Sequence, residues 1–123
     1  MPLLDAGGSF FFSMANDFRV LHAARSVRTE VIRLAERARP TLHDDKQLRD
    51  AVSSIPANIR EAYGRRAGKE RNQYLRVARS SAEETDEHLN CNFQLGRVSG
   101  KTYWSLHNRI STIVKMLNSL MGD

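Results

Sequence analysis

The chain has 123 residues, which suits one domain around one core. Its 41% hydrophobic and 27% charged residues are ordinary for a globular protein, and no apolar run approaches the roughly 18–20 residues of a membrane span. The net charge is +5, and 15 of the 19 basic residues are arginine, whose planar fork suits phosphate and carboxylate partners, although a GC-rich genome would produce the same bias.

The opening residues, MPLLDAGGSFFFSMAND, contain the apolar patch Phe10 to Phe12 but lack the basic start of a signal peptide. A cytoplasmic protein is expected, in keeping with the single Cys91, which has no intramolecular disulfide partner. Helical rhythm begins only after Met14. Residues 1–13 therefore read as an N-terminal extension, either non-native or subunit-contacting, ahead of one domain over 14–123.

Four helices follow in chain order. The first runs from about Asp17 to Arg39, with Val20, Ala24, Val27, Val31, Leu34 and Ala38 on one face. Pro40 stops it. The second runs from about Asp44 to Tyr63, with Leu48, Val52, Ile55, Ile59 and Ala62 as its stripe. Thr41 and Asp44 suggest an N-terminal capping arrangement. The third spans about Lys69 to Leu95, striped by Leu75, Ala78, Ala82, Thr85 and Leu89, with Gly96 beyond its end. The fourth spans about Gly100 to Met121 and carries the cleanest stripe: Tyr103, Leu106, Ile110, Ile113, Leu117 and Leu120. No segment alternates with period two. The connections are short, so neighbours should run antiparallel, and the expected fold is an all-α, up-down-up-down four-helix bundle. Leu21, Ile32, Ala35, Val114, Met116 and Met121 are left over, as a wide core or as an oligomer surface.

Pro56 interrupts the second stripe between Ile55 and Ile59. It removes the hydrogen bond to the Val52 carbonyl. Either Ser53 or Ser54 caps a new helix there, or one helix kinks. The stripe keeps its register across the proline, which favours a kink.

Enzyme chemistry is not legible. No Glu has a His three residues on, and His22, His43, His88 and His107 show no i, i+4 ligand spacing. The acidic run Glu83 to His88 wraps around its helix, as a solvated or partner-pairing face does. No phosphate loop or nucleophile elbow is present. A non-enzyme without metal or cofactor is expected.

Charge is the informative feature. Residues 60–79 hold Arg60, Arg65, Arg66, Lys69, Arg71, Arg76 and Arg79 against only Glu61 and Glu70. That window carries the whole +5 of the chain. Tyr63 and Tyr74 interleave with it. The densest part lies at the turn between the second and third helices, so it should gather at one end of the bundle and attract polyanions. The bland alternative is a solvated helix end, or one paired with the 83–87 face of a neighbouring subunit.

The stretch SIPANIREAYGRR, Ser54 to Arg66, closely resembles the signature of the four-helix bundle family encoded by 23S ribosomal RNA intervening sequences, the S23-type proteins. The matching residues are Ser54, Ile55, Pro56, Ala57, Asn58, Ile59, Glu61, Gly64, Arg65 and Arg66. Looser likeness extends through Tyr74-Leu75-Arg76, Ala78, Leu95-Gly96 and Met116-Leu117. Arg60 and Ala62 depart from the pattern, standing where Ala and Gly are usual. SSAEETDEHL likewise exchanges a core leucine for Ala82 or Thr85. The resemblance implies a left-handed bundle and a homopentameric ring. A more distant relative, the basic accessory protein of diversity-generating retroelements, implies nucleic acid as a partner. Five copies would place about +25 on one ring, a strong attractor for polyanions.

The expected function is therefore a non-catalytic, oligomeric protein that binds structured RNA or DNA. Arg60, Arg65, Arg66, Lys69, Arg71 and Arg76 would contact phosphates, and Tyr63 or Tyr74 would stack. The alternative is a homo-oligomeric protein–protein assembly module or accessory scaffold without a direct nucleic-acid role.

Overall fold

A computed structural model describes residues 2–65 and 68–122, with side chains described over 18–65 and 68–122. Arg66 lies outside the described residues. Among the described residues four helices form: α1 (Pro2–Arg37), α2 (Asp45–Tyr63), α3 (Lys69–Gln94) and α4 (Gly100–Met121). Among the described residues there is no strand.

α1 starts earlier than its apolar rhythm indicates. Proline is tolerated at a first helical position because its missing N–H would have no partner there. No other proline precedes Pro40, and Gly7 and Gly8 cost only about 1 kcal/mol each in a helix. The backbone of 2–13 thus continues α1. The side chains of Phe10 to Phe12, read above as a clue to subunit contact, lie outside the described residues.

The buried face of α1 also differs. Val20, Leu21, Ala24, Val27, Val31 and Ala35 are buried, while Leu34 and Ala38 are only half-buried. A straight helix drifts about 20° per heptad against a 3.5-residue repeat. After two heptads the stripe has crossed from position 34 to position 35. The other stripes follow their spacing, save that Leu120 is half-buried.

α2 enters without the expected cap. Its N-cap residue is Asp44, held in the left-handed region at φ 51° and making no side-chain capping bond. Asp tolerates that region better than most residues. Thr41 instead offers its carbonyl to Arg97 Nη1 at 3.2 Å. Pro56 is buried inside one unbroken helix, so no new helix begins there. Polar side chains gather around it. Asn58 Nδ2 donates to the Ser54 carbonyl and hydroxyl at 2.8 and 2.9 Å. Ser81 Oγ on α3 donates to the same Ser54 hydroxyl at 2.8 Å.

The later boundaries have plain local causes. Gly96 takes φ 75° just past α3, a conformation other residues rarely adopt. Ser99 Oγ caps α4 by accepting from the Thr102 N–H at 3.1 Å.

Each helix packs on two neighbours: α1 on α2 and α4, α3 on α2 and α4. Cross-contacts give the order along each seam. Phe18 meets Tyr63 and Arg28 meets Ser53 between α1 and α2. Arg79 meets Asn118 and Asp86 meets His107 between α3 and α4. Between α2 and α3, Ser54 meets Ser81 and Arg65 meets Tyr74, and just ahead of α2 His43 meets Asn92. Rising numbers on one helix meet falling numbers on the next. The α2–α3 turn therefore sits at one end of the molecule, and the other two connections sit at the opposite end.

Asn92 is fully buried and ties that second end together. Its Oδ1 accepts from the His43 N–H at 2.7 Å. Its Nδ2 donates to the carbonyls of His43 and His88 at 3.1 and 2.8 Å. Asn92→Ala removes all three of these hydrogen bonds, each worth about 0.5–1.5 kcal/mol. We expect the thermal midpoint, followed by circular dichroism, to fall by roughly 5–10 °C. Exposed Asn90→Ala should shift it little.

Candidate nucleic-acid interface

The turn between α2 and α3 places the cationic window at one end, but the structure divides its members. Arg65 is the clasp of its own turn. Nη1 donates to the Glu61 carboxylate at 2.8 Å and to the Glu61 carbonyl at 2.9 Å. Nε donates to Glu70 at 3.3 Å and Nη2 to the Tyr74 hydroxyl at 3.2 Å. Of the five N–H donors of an arginine, four are thereby occupied. Its guanidinium also lies 4.5 Å from the centroid of the Tyr74 ring, a cation–π geometry. The hydrogen bond to Glu61, then that to Glu70, pushes its pKa above the ordinary arginine value.

Arg71 is buried, at 8% exposure. Arg79 is half-buried, donating to Asn118 Oδ1 at 2.7 Å across the α3–α4 seam. Arg60, Lys69 and Arg76 are exposed. Lys69 and Arg76 stand seven residues apart on α3, two turns along one face and about 10 Å apart in rise. Arg60 stands in the last turn of α2. Only part of the window thus reaches the surface, and charge count alone could not identify which part. Tyr63 is half-buried, with its ring edge-on to Phe18 at 5.7 Å. Tyr74 has one face under Arg65.

The motif residues mostly build the fold. Ile55, Pro56 and Ile59 are buried in the core. Ser54 and Asn58 form the polar tie around the proline, and Glu61 holds Arg65. Gly64 lies at φ −76°, so backbone strain does not demand glycine there. Ala57 is exposed.

The acidic run is split as well. Glu83, Glu84 and Glu87 are exposed, whereas Asp86 pairs with His107 Nδ1 at 2.8 Å. An open groove of about 790 Å³ runs between α3 and α4 beside Glu83, Asp86 and Glu87, with Ile110, Val114 and Lys115 opposite. Among the described residues no His, Cys, Asp or Glu group could hold a metal ion. Nor is any described helix long and apolar enough to cross a membrane.

Sequence reasoning missed an aromatic cluster at the other end. Phe93 and Tyr103 stack at 5.0 Å, and Trp104 meets Phe93, Tyr103 and His107 edge-on. Trp104 remains 53% exposed. Its signal was the run Tyr103-Trp104 near the start of α4, ten residues after Phe93 near the end of α3, which pairs aromatics across a short turn.

Three comparisons bear on identity. The family model described as 23S rRNA-intervening sequence protein matches residues 16–119. A crystal structure of a protein with unknown function from the S23 ribosomal protein family of Bacteroides thetaiotaomicron VPI-5482 shares the fold. Its TM-score is 0.82 at 23% identity, covering 88% of this chain and 99% of that one. No curated protein matches the chain.

Burial, and secondarily Asp86, pushes the Tyr103 phenol above the usual tyrosine value of 10.0. The folded protein holds that proton more tightly than the unfolded chain does. The resulting stability is whole below the unfolded value and is lost as pH rises through the folded value. An alkaline titration of phenolate absorbance should show one of the three tyrosines ionising late. Tyr103→Phe should remove that late step, and Asp86→Asn should move it down. A late step that persists in Tyr103→Phe would assign it to another tyrosine.

Proposed function

The chain belongs to the 23S rRNA-intervening sequence protein family, and from that premise we propose that it is a non-catalytic, oligomeric protein that binds structured RNA in the cytoplasm. The observation that carries this reading is the distribution of charge. The whole net +5 falls within residues 60–79, and Arg60, Lys69 and Arg76 stand exposed there. Such a surface attracts phosphates without selecting bases. Arg65 takes a supporting part, holding the turn that presents them, with one N–H left to offer. Tyr63 and Tyr74 are the stacking candidates, and Arg66 belongs to the same turn by sequence. We read the molecule as a left-handed, up-down-up-down bundle, bent at Pro56, that assembles as a homopentamer. No cofactor is invoked.

RNA hairpin binding by the full chain should be strong at about 50 mM salt and fall by orders of magnitude at 200 mM. Replacing Arg60, Lys69 and Arg76 by Gln should weaken binding uniformly across sequences. It should also flatten the salt slope by about 1 per lost contact. An unchanged slope would remove these residues from the interface.

The α3–α4 groove favours a second reading, a self-assembly module. Its carboxylates at 83, 86 and 87 would meet the basic surface of a neighbouring copy. Glu83→Lys with Glu87→Lys should then dissociate the oligomer by light scattering, and salt should do the same to the parent protein. An oligomer that survives both would exclude this groove as the contact.

A further inference from the structure

A second cleft, of about 220 Å³, opens between α1 and α4. It lies away from the α2–α3 turn, near the far end of the molecule. Arg37 comes from the last turn of α1 and Lys101 from the first turn of α4. Arg109, two turns further along α4, completes the cationic side, and its Nη2 is steadied by Ser26 Oγ at 2.7 Å. Glu30 is the one carboxylate in the lining. Three cations thus face one anion in a small concave space. Arg37 and Lys101 are exposed and have no hydrogen-bond or ion-pair partner among the described residues.

Three further features point the same way. Buried Leu106 walls part of the cleft, and an apolar wall focuses the field of nearby charges. Thr102 Oγ1 accepts from Ser99 Oγ at 3.0 Å, which leaves its own proton to donate to an anion. Lys101 is also misplaced for helix stability. The first turn of α4 carries no acid, and a cation there opposes the helix dipole. A local rule broken without local gain is expected where function requires it.

We propose that this cleft binds a phosphate group. Its volume is below the roughly 300–1,000 Å³ of larger ligand sites, so it admits one phosphate and its immediate substituent. The phosphate could come from a nucleic-acid backbone or from a free phosphate ester. The first source rests on the RNA reading above and the second does not.

The test uses the full chain. Inorganic phosphate is titrated in at low salt while backbone amide NMR shifts are followed. Saturable shifts are expected at Arg37, Lys101 and Thr102. Arg37→Gln with Lys101→Gln should weaken phosphate about tenfold or more, whereas Glu30→Gln should tighten it about three-fold or more. The tightening cannot arise from damaged folding. No saturable shift in the parent protein, or equal binding by parent and double variant, overturns the proposal. An RNA hairpin distinguishes the sources. A salt slope lowered by about 1 in the double variant marks a backbone phosphate. Unchanged RNA binding, with phosphate binding lost, marks a free phosphate ester. If the parent protein binds no RNA, the nucleic-acid reading fails alone, and the phosphate titration still decides this cleft.

Discussion

Aliphatic stripes resist separation of two helices better than they resist sliding, because a leucine fits almost as well one turn along. The α2–α3 pairing is pinned against sliding by polar ties spread along its length. Asn92 holds His43 ahead of α2, Ser81 holds Ser54 in the middle, and Arg65 holds Tyr74 at the turn. A buried polar group satisfied in only one register selects that register, as single polar residues do in coiled coils. The middle tie stands beside Pro56, where the backbone of α2 has lost a hydrogen bond. Specificity is thus concentrated where the helix is locally weakest. Both ends of the molecule inherit their geometry from this seam.

At the turn, that geometry sorts the arginines by task. Arg65 lies across Tyr74 and between two carboxylates, so most of its donors serve the loop. Arg71 is taken into the body. Arg60, Lys69 and Arg76 are left outward. A dense basic run therefore contains both scaffold and surface, and only the latter acts at long range. Screening limits that reach to about 8–10 Å at physiological salt. The cationic α2–α3 end and the α1–α4 cleft are therefore separate patches, with the carboxylates of the α3–α4 groove on another side.

The far end has a different character. Phe93, Tyr103, Trp104 and His107 pack against one another across the α3–α4 turn, and Asp86 anchors His107. This cluster closes the core, and burial within it raises the Tyr103 phenol.

Much of this was legible in the amino-acid order. Helix type and number follow from apolar spacing and from Pro40, Gly64, Gly68 and Gly96, because periodicity and chain-breaking are local properties. Every residue read onto the stripes of α2 and α3 is buried, while buried Ala51, Arg71, Ser81 and Asn92 escaped that reading. The motif from Ser54 to Arg66 pointed to the family, and the clustering of charge was plain. Other features depended on what lies across the bundle. The face of α1 drifted from Leu34 to Ala35, since helical twist accumulates over a long element. Thr41 gave way to Asp44 as the residue preceding α2, because the loop answers to Asn92 and Arg97 on another segment. The sequence alone thus determined four helices, their inward stripes and a basic turn. Only the tertiary structure decided which of those basic side chains reach solvent and which distant ones, Arg37, Lys101 and Arg109, share a cleft. The physical reason is that hydrogen bonding, burial and electrostatic focusing act through space, between residues that the chain keeps far apart.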